Sequence, residues 1–171
     1  MKLSIVTTLY QSENTIDKFH KLISSEAKKL VNIDYEIIYV NDCSPDKSLE
    51  KAIIIFKKDK YTKIIDLSKN FGHHKAIMTG LGHARGDLVF LIDVDLDEDP
   101  RYLKNFFSEI KKNDCDVIYG KQEIRRGNWF GVVLGTFFWK FFNKISGLSV
   151  ALNASTIRIM SRRYIDALLL H

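Results

Sequence analysis

The run Leu88-Val89-Phe90-Leu91-Ile92 leads straight into Asp93-Val94-Asp95, and no other stretch narrows the fold as far. Five apolar residues without a break suit a strand buried on both faces, as in a parallel sheet. The carboxylates begin where the run stops, so they fall at the strand's carboxyl end. Open α/β sheets bind their ligands at that edge. Alternation along an extended backbone sends Asp93 and Asp95 to one side and Val94 to the other. Two adjacent carboxylates repel unless a cation lies between them. Hard oxygen ligands suit Mg²⁺ or Mn²⁺, in sites completed by substrate phosphates and water. The pair therefore reads as a metal clamp for a diphosphate, set against the plainer reading of an acidic turn.

The rest of the chain supplies matching strands. Leu3-Ser4-Ile5-Val6 reads as a first strand ending in Thr7-Thr8-Leu9-Tyr10. A helix pattern then starts near Glu13 or Asn14 and carries Ile16, Phe19, Leu22, Ile23, Ala27, Leu30 and Val31 at helical spacing. Tyr35 to Val40 is a second strand, stopped by the turn-rich Asn41-Asp42-Cys43-Ser44-Pro45-Asp46. Asp42 lies just past its end, placed either to accept hydrogen bonds from a base or ribose or to cap a turn. Ile64-Ile65-Asp66-Leu67 is a third strand. It is followed by Ser68 to Lys75 and a small-residue helix through Ala76, Gly80 and Ala84. Lys75 near that helix's start opposes the helix dipole, which fits a bound phosphate or a solvated lysine equally. His73 and His74 are adjacent, without the i, i+4 spacing of a metal pair, and read as surface residues.

Strand and helix alternate, which argues for a parallel sheet covered by helices. Three polar clusters, Thr8 to Glu13, Asn41 to Asp46 and Asp93 to Asp95, fall at the carboxyl ends of different strands. The length of 171 residues suits one domain with a core, and 46% hydrophobic with 27% charged residues is ordinary for a globular protein. The net charge of +5 allows anionic substrates or an anionic membrane surface without requiring either. Two distant cysteines, Cys43 and Cys115, form no disulfide framework or zinc pattern and favour a reducing cytosol. The amino terminus enters a strand with no signal peptide, and no stretch is long and charge-free enough to span a bilayer. Basic residues are scattered and acidic clusters occupy the cleft edge, which argues against nucleic acid.

These residues carry a resemblance. Ile5 to Tyr10, Val40 to Asp46, Leu67-Ser68-Lys69-Asn70-Phe71-Gly72, Gly80-Leu81, Ala84 to Asp87, Asp93 to Leu96, Asp116 to Gly120 and Ser161-Arg162-Arg163 resemble a family 2 glycosyltransferase. Its nucleotide-sugar fold, GT-A, is a Rossmann-like α/β domain with a mostly parallel sheet flanked by helices. The likeness is closest to the branch of dolichyl-phosphate mannose synthase and bacterial polyprenyl-phosphate glycosyltransferases. It implies a catalytic domain over 1–171 that transfers a sugar from a nucleoside diphosphate sugar, with inversion, to polyprenyl phosphate or a glycan acceptor. A non-catalytic donor-binding module is the remaining alternative. The resemblance implies that Thr8, Leu9, Tyr10 and Glu13 line the nucleoside pocket and that Asp42 meets base or ribose. It has Asp93 and Asp95 hold nucleotide and Mg²⁺ or Mn²⁺, and Arg125 and Arg126 steady a phosphate. Lys75 joins the donor-binding set, and Asp95 and Asp97 are the candidate catalytic residues.

Past Pro100, Leu103, Phe106, Phe107 and Ile110 mark an amphipathic helix, and Asp116 to Gly120 a further strand. The stretch 129–146 holds seven aromatics, with Lys140 and Lys144 on a polar stripe. It fits a helix lying in a membrane interface, a core helix or an oligomer contact. The expected location is cytoplasmic, peripheral on the inner face of the plasma membrane. Where relatives carry Asp-Ala-Gly-Asp-Phe-Arg, this chain has Asn153-Ala154-Ser155-Thr156-Ile157-Arg158, so the obvious general base is absent. A phosphate acceptor tolerates that loss because it is already ionised at neutral pH. A sugar hydroxyl would need Asp97, Glu98 or Asp99 instead. The chain stops at His171 inside an apparent helix, and a truncated or split protein is expected.

Overall fold

A computed structural model describes residues 1–121 and 154–170. The chain divides into two units, Met1–Ile118 with Ile157–His171, and Tyr119–Thr156. The stretch 129–146, Arg125 and Arg126 lie outside the described residues.

Strands β1 (Lys2–Leu9), β2 (Asp34–Asn41), β3 (Thr62–Asp66) and β4 (Leu88–Leu91) alternate with helices α1 (Ile16–Lys28), α2 (Ser48–Lys58) and α3 (His73–His83). Helix α4 (Tyr102–Lys112), β5 (Val117–Lys121), β6 (Ala154–Ser161) and α5 (Arg162–Leu169) follow. The sheet order is β3-β2-β1-β4-β6-β5. Strand β1 pairs in parallel with β2 and β4, β2 pairs in parallel with β3, and β6 runs antiparallel to β4. The mostly parallel α/β architecture expected from the alternation is therefore the one observed. Strand β6 was not expected. Ile157 and Ile159 face one core and Met160 the other, with Arg158 between, so neither an unbroken apolar run nor a clean alternation marks it.

Alternation sorts the strands between two cores. Leu3, Ile5 and Leu9 of β1, Ile37 and Tyr39 of β2, and Leu88 and Phe90 of β4 pack with α1, α2 and α4 on one face. Val6, Ile38, Val40, Val89 and Leu91 pack with α3 and α5 on the other. Helix α1 buries Ile16, Phe19, Ile23 and Ala27, the stripe a 3.6-residue period predicts. It ends at Lys28, so Val31 stands exposed beyond it. Gly80 lets α3 lie close on the sheet. A Cβ there would come within 2.5 Å of Val6 Cγ1 and 2.9 Å of Val40 Cγ2.

Toward the amino edge, buried Glu36 ties three segments. Its Oε1 accepts from Ser4 Oγ at 2.6 Å and Arg85 N–H at 2.9 Å, and its Oε2 pairs with Lys2 at 3.1 Å and Lys63 at 2.6 Å. Burial would raise its pKa. The Lys63, Ser4, Arg85 and Lys2 donors outweigh that and hold it at about 2. Among the described residues no helix is long and apolar enough to cross a membrane.

Candidate active site

The two-sided sorting decides what meets at the carboxyl edge. Asp93 and Asp95 continue the side taken by Val89 and Leu91, while Ile92 and Val94 turn into the opposite core. Thr8 and Tyr10 continue the side of Val6, and Asp42 the side of Val40. All five therefore stand on the face that α3 covers.

Thr8, Tyr10, Ser12, His73, Asp93, Val94 and Asp95 line a hollow of about 170 Å³. Asp93 and Asp95 both line this one hollow, from the turn that follows β4. Asp93 is partly buried and Asp95 exposed. Thr8 Oγ1 lies 3.2 Å from His73 Nδ1, and His73 Nε2 lies 3.7 Å from Asp93 Oδ1. His73 was read from sequence as a surface residue. It is half-exposed, yet it lines the hollow. Only the docking of α3 on β1 and β2 brings it there, and no sequence spacing announces that.

Other expected site residues support the loops instead. Asp42 is buried, and its two carboxylate oxygens accept from the N–H groups of Phe71 at 2.7 Å and Gly72 at 3.0 Å. It thereby fixes the turn into α3. Glu13 N–H donates to Asp46 Oδ2 at 3.0 Å, and Glu13 Oε2 accepts from Lys47 N–H at 3.0 Å. Leu9 does not line the hollow. Its side chain is fully buried in the core because it holds the odd phase of β1, and its carbonyl accepts from Asp42 N–H at 3.0 Å. Lys75 is exposed in the first turn of α3, outside the hollow's lining.

Asp97 also departs from expectation. Its N–H donates to Asp95 Oδ1 at 3.0 Å, but its side chain lines a separate groove of about 520 Å³ with Lys18, Leu22, Asp99 and Tyr102. Leu96 between them has φ 67°, and that left-handed residue ends the alternation that aligned Asp93 with Asp95. Asp99 in the same groove is held below the usual carboxylate range by hydrogen bonds from Arg101.

Leu96 has counterparts. Each loop leaving β1 to β4 at this edge carries one residue in the left-handed region: Gln11 (φ 52°), Cys43 (50°), Gly72 (91°) and Leu96. A non-glycine residue there costs about 1–2 kcal/mol, and such strain gathers where loops are shaped for binding.

Among the described residues, no group of three or more His, Cys, Asp and Glu side chains converges on a metal position. Two carboxylates at the mouth of a hollow nevertheless fit a hard cation that also takes phosphate and water oxygens. Asp93 and Asp95 are the residues that would hold it.

The chain matches the family model described as Glycosyl transferase family 2 over residues 4–169. A Mycobacterium tuberculosis protein named among glycosyltransferases is 42% identical, over 100% of this chain and 50% of its own length. The undecaprenyl-phosphate 4-deoxy-4-formamido-L-arabinose transferase of Proteus mirabilis is 30% identical, over 98% of this chain and 51% of its own. The chain thus spans about half the length of these curated relatives. In fold it is similar to glucosyl-3-phosphoglycerate synthase from Mycobacterium tuberculosis, solved with Mn²⁺, UDP and phosphoglyceric acid. The TM-score is 0.70 with 18% identity, over 95% of this chain and 56% of that one.

Proposed function

Because the chain belongs to glycosyl transferase family 2, we propose that it moves a sugar, with inversion, from a nucleoside diphosphate sugar to polyprenyl phosphate. One observation carries the reading: Asp93 and Asp95 line a single hollow at the carboxyl edge of a parallel sheet. The Proteus relative's name gives an undecaprenyl-phosphate acceptor, and the fold neighbour's structure holds UDP and Mn²⁺. Both support extending these chemistries to this chain.

In this reading Thr8, Tyr10 and Ser12 flank the donor, and Asp42 keeps the wall at Phe71-Gly72 in place. Asp93 and Asp95 would hold a divalent cation, whose chemistry when bound would be to neutralise charge on the departing diphosphate. An oxygen of the acceptor phosphate attacks the anomeric carbon as the bond to the donor diphosphate breaks. The attacking oxygen carries no proton to be removed at neutral pH. This agrees with the site: among the described residues, no carboxylate beyond the pair lines the hollow, because Asp97 and Asp99 face the other groove. A saccharide hydroxyl would need a base there. The reading puts the chain at a membrane surface, where a polyprenyl acceptor is anchored.

Asp95→Ala tests it. Asp95 is exposed, so losing its hydrogen bond from Asp97 N–H costs about 1 kcal/mol or less, while transfer to polyprenyl phosphate with Mn²⁺ falls by about 100-fold or more. Full activity in the variant, or in the parent under excess chelator, overturns the metal assignment. Faster transfer to saccharides than to polyprenyl phosphate overturns the acceptor.

A further inference from the structure

His73 lines the hollow but has no role in the donor reading derived above, and it stands between two members of that site. Its ring leaves the first turn of α3 with Nδ1 at 3.2 Å from Thr8 Oγ1 and Nε2 at 3.7 Å from Asp93 Oδ1. Thr8 is the last but one residue of β1 and Asp93 follows β4, and these strands are hydrogen-bonded neighbours. One imidazole on a helix thus bridges the ends of both.

We propose that His73 is the positioning residue of the donor site, holding the Asp93 carboxylate toward the hollow with Thr8 setting the ring. A neutral imidazole carries one N–H and one lone pair. With the lone pair on Nε2, it would face the negative Asp93 oxygen and repel it. With the lone pair on Nδ1, the Thr8 hydroxyl donates into it, and Nε2–H points at Asp93. The doubly protonated ring also presents Nε2–H, with Nδ1–H donating to Thr8. Every favourable state therefore aims a hydrogen at Asp93 Oδ1. The 3.7 Å separation exceeds a direct hydrogen bond and is short enough for a charge–dipole or ion-pair attraction. Groups that orient a ligating side chain in this way are worth about 10–100-fold in metal affinity or activity when removed.

The ring is also well placed to stay put. Gly72, in the left-handed region at φ 91°, begins the turn that delivers His73, and Asp42 holds Gly72 N–H at 3.0 Å. The buried Asp42 thereby acts on Asp93 through the backbone of the α3 turn and the imidazole.

The inference rests on the reading of Asp93 as a ligand for a cation and a nucleoside diphosphate, and the test separates the two. Calorimetric titrations use Mn²⁺ together with UDP or GDP, whichever binds the parent chain more tightly. His73→Ala is expected to weaken binding about 10-fold, raising the donor KM more than it lowers kcat, with an unchanged thermal midpoint. His73→Gln, whose amide N–H reaches the place of Nε2–H, restores most of the loss. Thr8→Val also weakens binding, and the double variant Thr8→Val with His73→Ala loses less than the sum of the two single losses, whereas strictly additive losses would mean that Thr8 does not set the ring. Parent-like binding by His73→Ala, while Asp93→Ala abolishes it, overturns the positioning role and spares the donor reading. Parent-like binding by Asp93→Ala overturns both.

Discussion

Asp46 joins loops from two strands. Its Oδ2 accepts from Glu13 N–H at 3.0 Å, and its Oδ1 accepts from Ser44 Oγ at 2.6 Å and from Ser48 Oγ and N–H at 2.6 and 3.0 Å. Ser44 and Ser48 hydroxyls in turn accept from Gln11 and Ser12 N–H, so the shape of the Tyr10–Ser12 wall depends on this carboxylate. Burial alone would raise its pKa. The Ser44 and Ser48 hydroxyls and the two N–H donors outweigh that and hold it at about 2. A folded-state pKa below the unfolded value of ~3.9 means that Asp46 stabilises the fold fully above about pH 4. That contribution is lost as pH falls through about 2. Asp46→Asn should therefore cost about 1–2 kcal/mol at pH 7, and the gap between variant and parent thermal midpoints should close at pH 2. A gap that is constant from pH 7 to pH 2 would show that the charge is not what holds the loops. At this scale the approach of Asp93 and Asp95 to one hollow was legible in the spacing of the two carboxylates after the apolar run, although β4 ends at Leu91 and Asp95 stands in a turn. The placing of Asp97 outside that hollow was not legible, because a left-handed Leu96 carries no glycine or asparagine to announce it.

Helix α3 is the element on which the site's geometry depends. It carries His73 at one end and lies on β1 and β2 through Gly80. In an exposed helix, Gly→Ala would gain about 1 kcal/mol. Here the added methyl would overlap Val6 and Val40, and overpacking of a filled core costs about 1–3 kcal/mol. Gly80→Ala should therefore lower the thermal midpoint, and by lifting α3 it should also weaken UDP–Mn²⁺ binding. Adding Val6→Ala should recover part of both losses, since the two changes share one space. Independent, additive losses would mean that α3 does not transmit the strain. Helices and parallel strands were legible because each spends enough residues on one period: the apolar run of β4 and the stripe Ile16, Phe19, Ile23, Ala27 of α1 admit few other readings. Strand β6 was not, since Ile157 and Ile159 alone mark its buried face, interrupted by Arg158 and followed at once by Met160 in the other core. The place of His73 was not either, because a helix's own pattern shows which face is buried and not where its first turn lands along the sheet.

For the molecule as a whole, the donor reading implies that cation and nucleotide bind as a unit. Asp93 and Asp95 supply two ligands among the described residues, fewer than a hard divalent cation takes, so the cation needs phosphate oxygens to complete its shell. A diphosphate entering the hollow alone meets two carboxylates of its own sign. Each partner thus removes the other's penalty, and linkage requires the effect to be mutual. In a thermal-shift experiment, Mn²⁺ alone and UDP alone should each move the midpoint little. Together, at about 100 times the dissociation constant, they should stabilise the fold by ~2.7 kcal/mol, about 5–10 °C for a chain of this length. Asp95→Ala should abolish the joint shift, whereas Glu36, toward the opposite edge of the sheet, can be weakened with Glu36→Gln to lower the starting midpoint without changing the increment. A UDP shift of the same size in chelator would mean that the carboxylate pair does not work through a metal.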